Sequence, residues 1–408
     1  MIYEQPDYIN RRKKLGSLIQ EKYQVKNGNI ILFANLENER TLFSQESSFF
    51  YYTGINEPGA VLIVDLNGYT TLFIPNFDGK REAWMSGCID LKSPQKVGVD
   101  EIKLLGDSYK GIVAHPFFTV DEYNHLIEFI KNSGLPFFSL LPDLASSNFV
   151  QKFLLNRLIS FLSELGEKVR DISSLIYSMR RKKDATEMVA IIKAIEITHM
   201  GFDAAKEVIR PGGLESEVKA AMEYIFTSFG AQSAFPTIAA SGKNATILHY
   251  TKNLDELSSG DLLLIDAGAE FNHYCADISR TFAISEKMTP RQKELFNVVQ
   301  DTKEYIESLA KPGMYLNNNL FPENSLSHLA MQFFAKYGLE KYFTHGIGHY
   351  LGLDVHDVGS SHEALSEGDV ITIEPGLYIK EESIGIRLED DYQITKNGCV
   401  CLSDLDKS

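Results

Sequence analysis

The sequence predicts a protein in two parts: an α+β domain over residues 174–408, preceded by a smaller α/β domain over residues 1–168. Three observations carry this. A chain of 408 residues exceeds what one hydrophobic core usually organises. In the first 150 residues, short apolar runs with strand character alternate with helical stretches. Beyond Asp184 the order is segregated: two long helical patterns come first and strand runs follow.

In chain order, 30–34, 60–64 and 70–74 read as strands, and 121–132 as a helix. A helical stretch over 149–165 leads out of the first part. Asp184-Ala-Thr-Glu187 reads as a capping box, with Asp184 at the N-cap and Glu187 three residues on. Apolar residues then recur near the helical period at 188, 191, 192, 195 and 199–202, until Pro211-Gly212-Gly213 stops the helix. A second helix starts near Glu215, places Val218, Met222, Ile225 and Phe229 on one face, and ends at Gly230. Strand runs follow at 262–265, 278–283, 370–373 and 384–388.

Net charge is −15, and the basic residues form no block longer than Arg180–Lys183, which argues against a nucleic-acid partner. The N-terminus has no apolar signal core, and no apolar run approaches the roughly 18 residues of a membrane span. Four cysteines, 88, 275, 399 and 401, form no CxxC pair and no disulfide spacing, as expected of structural thiols in a reducing cytoplasm.

The chemistry concentrates at THGIGHYLGLDVHDVG, where three of the ten histidines, His345, His349 and His356, fall within twelve residues. Acids stand at strand ends elsewhere. Asp266 follows Leu262-Leu263-Leu264-Ile265, and Asp277 comes eleven residues later at the head of ISRTF. A hairpin centred on Phe271-Asn272 sets the two directly opposite, with Cβ atoms about 4.5–5.5 Å apart; one centred on Asn272-His273 makes them diagonal neighbours. Glu374 ends VITI, and Glu389 follows Ile386-Arg387-Leu388, with Arg387 and Glu389 on one face. Carboxylates gathered at apolar strand ends are costly unless a cation neutralises them. Four of them with an imidazole suit two divalent ions about 3.5–4 Å apart. Hard oxygen ligands favour Mn2+, with Co2+, Fe2+ and Zn2+ left open.

Other chemistries fail on their patterns. HGIGH has Gly346 where an HExxH zinc protease needs Glu, and GIGHYLG is not GxGxxG. SGKNAT lacks the upstream Gly of a phosphate-binding loop, and there is no GxSxG nucleophile turn.

The segments LLLIDAGAEFNHYCADISRTF, THGIGHYLGLDVHD, ITIEPGLYI and GIRLEDD, with TIAASGKNATILHY upstream, resemble the pita-bread metallopeptidases, the family of methionine aminopeptidases, prolidases and aminopeptidase P. FFYYTGINEPGAVLIV is similar to the N-terminal domain of aminopeptidase P. The resemblance implies metal ligands at Asp266, Asp277, His349, Glu374 and Glu389, with Asp277 and Glu389 bridging. It implies that His345, His356 and His249 stand near the substrate and that Arg387 serves the site from beside Glu389. The implied reaction is hydrolysis of the bond between an N-terminal residue and a following proline, by water activated at a metal pair. Glu374 would shuttle protons, and His356 or His249 would stabilise the oxyanion. An Xaa-Pro dipeptidase is the alternative, and a non-catalytic binding module the remote one. Trp84, the one Trp, reads either as plain core or, as the resemblance implies, as a residue that reaches a neighbouring subunit's pocket; the resemblance also implies a homodimer or homotetramer. The chain departs from the family at a short loop between Asp357 and Val370 that contains His362, at Ser48 where relatives often carry Asp, and at His273, which replaces the usual turn glycine.

Overall fold

A computed structural model describes residues 5–38, 40–85, 89–141, 149–285 and 287–404. The described residues fall into two compact units that divide between Arg180 and Arg181.

Strand-forming runs build the first unit's sheet. β1 (Asn29–Phe33), β2 (Val61–Asp65), β3 (Thr70–Ile74), β4 (Glu101–Leu104), β5 (Phe137–Ser139) and β6 (Val169–Asp171) lie in the order β4-β3-β2-β1-β5-β6. The sheet is mixed: β1, β2 and β3 pair antiparallel, while β4, β5 and β6 join in parallel. α1 (Gln5–Tyr23), α2 (Ser47–Thr53), α3 (Asn124–Ser133), α4 (Phe149–Phe161), α5 (Ser163–Lys168) and α6 (Ser173–Arg181) complete the unit. Ile31, Phe33, Val61, Phe73, Leu126, Leu155 and neighbours form the core. The expected helix over 121–132 begins later, because a 3-10 turn at Val120–Glu122 precedes α3. Ser48 is fully buried in α2, where its hydroxyl accepts from Arg180 Nη1 at 2.9 Å.

The second unit opens with α7 (Ala185–Val208) and α8 (Glu215–Ser228). The capping box closes as its spacing requires: Asp184 N–H donates to Glu187 Oε2 at 3.0 Å, and Glu187 N–H to Asp184 Oδ1 at 2.9 Å. Gly201 lets the helices approach, since a Cβ there would lie 2.8 Å from the Phe226 ring. The buried stripe of α8 is Val218, Met222 and Phe226; Ile225 is only partly buried, and Phe229 is 47% exposed. The expected face drifts because Phe229 is the C-cap, beyond the last helical residue.

The strands that follow are β7 (Gln232–Ser233), β8 (Ile238–Ser241), β9 (Leu262–Ala267), β10 (Ala269–Phe271), β11 (Tyr274–Cys275) and β12 (Ile278–Ala283). Two helices, α9 (Pro290–Leu309) and α10 (Leu326–Ala335), then precede β13 (Val370–Ile373), β14 (Gly376–Ile379), β15 (Ile384–Arg387), β16 (Asp390–Ile394) and β17 (Cys399–Cys401). Every strand pair of this unit is antiparallel. The strands group as β12-β9-β8, β13-β16-β17, β14-β15 and β11-β10-β7, and an isolated bridge ties Ser279 of β12 to Glu389, which lies between β15 and β16. Apolar faces of α9, α10 and β13 to β16 close a second core around Leu295, Val299, Phe334, Ile373 and Ile386. The molecule is therefore α+β, with the helices segregated from an antiparallel sheet in the second unit.

Cys275 is buried, Cys399 and Cys401 are partly buried, and all three are free thiols; Cys88 lies outside the described residues.

Candidate functional site

Register creates the site. The hairpin after β9 centres on Asn272-His273, both at positive φ, with Phe271 opposite Tyr274. The same register carries into β9 and β12, so Asp266 faces Ser279 and Asp277 becomes its diagonal neighbour. Ser279 also bridges to Glu389 from the far side. One row across three segments thus reads Asp266, Ser279, Glu389, with Asp277 two residues from Ser279 on the same face.

The histidine segment is pinned to β13. Thr372 N–H donates to His349 O at 2.9 Å, and His349 N–H donates to Thr372 Oγ1 at 3.1 Å. Glu374 N–H donates to Ile347 O at 2.9 Å. Gly348 touches the strand so closely that a Cβ there would sit 2.0 Å from Thr372 O. These contacts set His349 and Glu374 over the carboxylate row.

Every predicted site residue lines one cavity of ≈ 380 Å³: His249, Asp266, Asp277, His345, His349, His356, Glu374, Arg387 and Glu389. Asp277, His349 and Glu389 each offer a ligand atom within 4.8 Å of the others. His349 Nε2 lies 3.4 Å from Asp277 Oδ2 and 3.7 Å from Glu374 Oε1. Glu374 Oε2 lies 3.5 Å from His345 Nδ1. The His349 and His356 rings stack. His362 is not in the lining; its Nδ1 donates to Asn317 O at 2.8 Å.

The electrostatics follow from crowding. Burial first, then the neighbouring acids, push Asp266 and Glu374 up to about 7 and Glu389 well above the usual carboxylate range, although Arg387 opposes the shift. Asp391, fully buried behind them, is raised for the same reasons, and its Oδ2 accepts Asp277 N–H at 3.2 Å. Burial works against a charged His349, but the hydrogen bond and charge of Asp277, with Glu374, prevail and hold it at about 9. Burial, then Arg387, pulls His345 down to about 4, and burial with His349 lowers His356.

Arg387 organises the wall. Its Nε donates to Ser279 Oγ at 2.8 Å, its Nη1 to Tyr378 OH at 2.9 Å, and its Nη2 to Asp266 Oδ2. Ser279 passes a hydrogen bond on to Glu389 Oε2 at 2.7 Å. His345 Nδ1 faces Gly346 O at 2.7 Å and must donate to it, so Nε2 accepts from Tyr378 OH at 2.8 Å. Ser279 and Tyr378 are the residues that sequence reasoning missed. Both sit inside the quoted motifs, but their roles need the strand register.

The donor set fits divalent cations. Asp266 Oδ1 is buried with no hydrogen-bond partner. His349 Nδ1 donates to Tyr350 O at 3.0 Å, which fixes the ring and turns Nε2 towards the acids, where a bound cation would take the place of its proton. Oxygen donors with one imidazole, largely buried, are what a hard or borderline dication takes.

Comparison with known proteins gives the same picture over nearly the whole chain. The pattern of Metallopeptidase family M24 matches residues 189–396, and that of Aminopeptidase P, N-terminal domain, matches residues 8–110. An Xaa-Pro aminopeptidase of Escherichia coli is 31% identical over 391 residues, covering 87% of this chain and 85% of the relative. An Xaa-Pro dipeptidase of Pyrococcus horikoshii is 35% identical over 297 residues, covering 70% of this chain and 77% of that one. Among solved structures, Zn-substituted E. coli aminopeptidase P in complex with product superposes with a TM-score of 0.80 at 28% identity, covering 98% of this chain and 95% of that one.

Proposed function

The chain belongs to metallopeptidase family M24, and on that premise we propose that it is an Xaa-Pro aminopeptidase, cleaving an N-terminal residue from a following proline. One observation carries the reading: the nine residues picked out by motif converge on a single acidic cavity. Its lining contains no Ser, Thr or Cys among the described residues, and its acids are those that would hold metal, which leaves water as the nucleophile of this reading.

Asp266, Asp277, His349, Glu374 and Glu389 would hold two divalent ions, Mn2+ first, whose chemistry would be to lower the pKa of bound water and to polarise a carbonyl. The protein's own groups do the rest. The acidic lining attracts the substrate's free amino terminus. Glu374, between His349 and His345, takes the proton from water and returns it to the leaving proline nitrogen. His356 and His249, both exposed to the cavity, donate to the developing oxyanion. His345 has both ring nitrogens engaged, so it acts by holding Tyr378 and, through it, Arg387.

The dipeptidase reading is weaker for a specific reason. A free dipeptide brings a carboxylate into the site and asks for a cation. Arg387 is the lining's one guanidinium, and each of its nitrogens donates inward to a protein acceptor. No other Arg or Lys lines the cavity among the described residues. Peptides longer than two residues, with the carboxylate outside, fit better.

The rest of the reading is organisational. Residues 174–408 form the catalytic domain and 1–168 the accessory domain of aminopeptidase P type. The protein would act in the cytoplasm as a homodimer or homotetramer. The test is hydrolysis by protein stripped with chelator and reloaded with Mn2+. Turnover of Xaa-Pro-Yaa with little turnover of Xaa-Pro is expected. Preferential turnover of the dipeptide would replace the reading with Xaa-Pro dipeptidase, and metal-dependent cleavage of neither would remove proline peptides as substrates.

A further inference from the structure

His249 reaches the cavity from an irregular segment, residues 242–255, that belongs to no strand. A short 3-10 turn, Gly242–Thr246, opens it. Its own residues tie parts of it down: Asn253, buried, accepts from Ala239 N–H at 2.7 Å and donates to Thr237 O at 2.9 Å, and Asn244 Nδ2 donates to Asp255 Oδ2 at 2.9 Å. What ties its two ends to each other across His249 is a carboxylate outside the cavity. Glu215, the first residue of α8, is fully buried and forms no ion pair with Lys or Arg among the described residues.

Its two oxygens accept five hydrogen bonds, and they straddle His249. On the near side Oε1 accepts from Ser241 N–H and Ser241 Oγ, both at 2.8 Å, and from Asn244 Nδ2 at 3.0 Å. On the far side Oε2 accepts from Tyr250 OH at 2.9 Å and from Asp255 N–H at 3.0 Å. Glu215 N–H in turn donates to Asp255 O at 3.0 Å. A buried carboxylate with about four lone-pair positions and no counter-ion is tolerable when donors surround it, and its loss strands all of them. The opposite side of the segment rests on β15, where a Cβ on Gly385 would lie 1.9 Å from Ala245 O. The segment is thus clamped between Glu215 and the strand that delivers Arg387.

We propose that Glu215 is a positioning residue for the peptidase reaction, fixing the 241–255 segment so that His249 stands where it meets the reacting carbonyl. The inference rests on the assignment of His249 made above. Removing the clamp should act on the reaction only through His249.

The experiment is a double-mutant cycle on the full-length, Mn2+-loaded enzyme with a tripeptide Xaa-Pro-Yaa. Glu215→Gln keeps the shape but leaves one acceptor oxygen and sets an amide N–H2 against donors. It should lower kcat by about 10–100-fold, the scale of a catalytic group misplaced by about 1 Å, with KM and bound metal little changed. In a His249→Ala background the same substitution should cost nothing further. Should Glu215→Gln not fold, Tyr250→Phe removes one of the five donors and is expected to give a smaller kcat loss, again absent beside His249→Ala. Losses that multiply in the double variant overturn the inference. So does a Glu215→Gln or Tyr250→Phe enzyme that loses thermal stability but keeps kcat while His249→Ala is impaired; in that case the His249 assignment stands. Full activity in His249→Ala removes that assignment and the Glu215 inference with it.

Discussion

The imidazoles of His349 and His356 lie face to face, their centroids 4.0 Å apart and their planes 9° from parallel. On the proposed assignment His349 would hold metal and His356 would meet substrate, so the stack would join the two functions. Replacing His356 separates them. His356→Ala should lower kcat by about 10²–10³-fold, the usual loss for one oxyanion donor, while metal content by elemental analysis stays unchanged. His356→Phe keeps a ring over His349 but no donor. Activity restored in the Phe variant would show that the stack alone matters.

Metal should report on stability as well as on rate. Asp266, Asp277, Glu374 and Glu389 are crowded, largely buried acids, and a dication bound only by the folded chain stabilises it by mass action. Mn2+ at about 100 times its Kd is worth about 2.7 kcal/mol. Thermal unfolding of chelated protein should move to higher temperature with added Mn2+, and Asp277→Asn should abolish the response. An equal shift in that variant would place the ions elsewhere.

His273 is a strained choice. Its φ is 68°, directly after Asn272 at 53°, where an Asn-Gly pair would turn the hairpin without steric cost. His273→Gly should stabilise the protein by about 0.5–1 kcal/mol at pH 8. Burial also pulls the His273 imidazole down to about 4 from an ordinary 6.5. Its contribution to stability is therefore whole above pH 6.5 and is lost as pH falls towards 4. Denaturant titrations of the Gly variant should show a shallower decline across that window; an unchanged decline would assign the acid sensitivity to other groups.

Lys183 and Asp357 form an ion pair at 2.9 Å with side chains 0% and 1% exposed, one residue beyond His356. Lys183→Met leaves a buried carboxylate without that partner and should cost about 3–5 kcal/mol. Lys183→Met with Asp357→Leu should recover most of that. A double variant no better than the single would mean that packing around Gly352, not charge, sets the cost: a Cβ there would lie 2.1 Å from Asp357 Oδ2.

Much of this was legible as spacing. The strands at 70–74, 278–283 and 370–373, and the Asp184 capping box, sit where local pattern puts them, because their side-chain period or cap chemistry is self-contained. The Asp266–Asp277 relationship was legible as a choice of two registers, and positive φ at both Asn272 and His273 selects the diagonal one. Less legible were features that depend on where an element stops or what crosses to it. Phe229 shares an apolar period with Val218 yet is exposed, since α8 ends one residue earlier. Ser279 and Tyr378 read as ordinary strand residues until Asp266, Glu389, Arg387 and His345 are set beside them.

The close approach of Gly348 to Thr372 bears on how a mutational survey of this chain should be read. Any side chain at 348 pushes two backbones apart and drags His349 and Glu374 with them. Scored by activity alone, position 348 will look as intolerant as a ligand, although glycine contributes no chemistry there. A substitution map needs a folding readout beside the turnover readout, or the second glycine of HGIGH will be counted among the groups that act on the peptide.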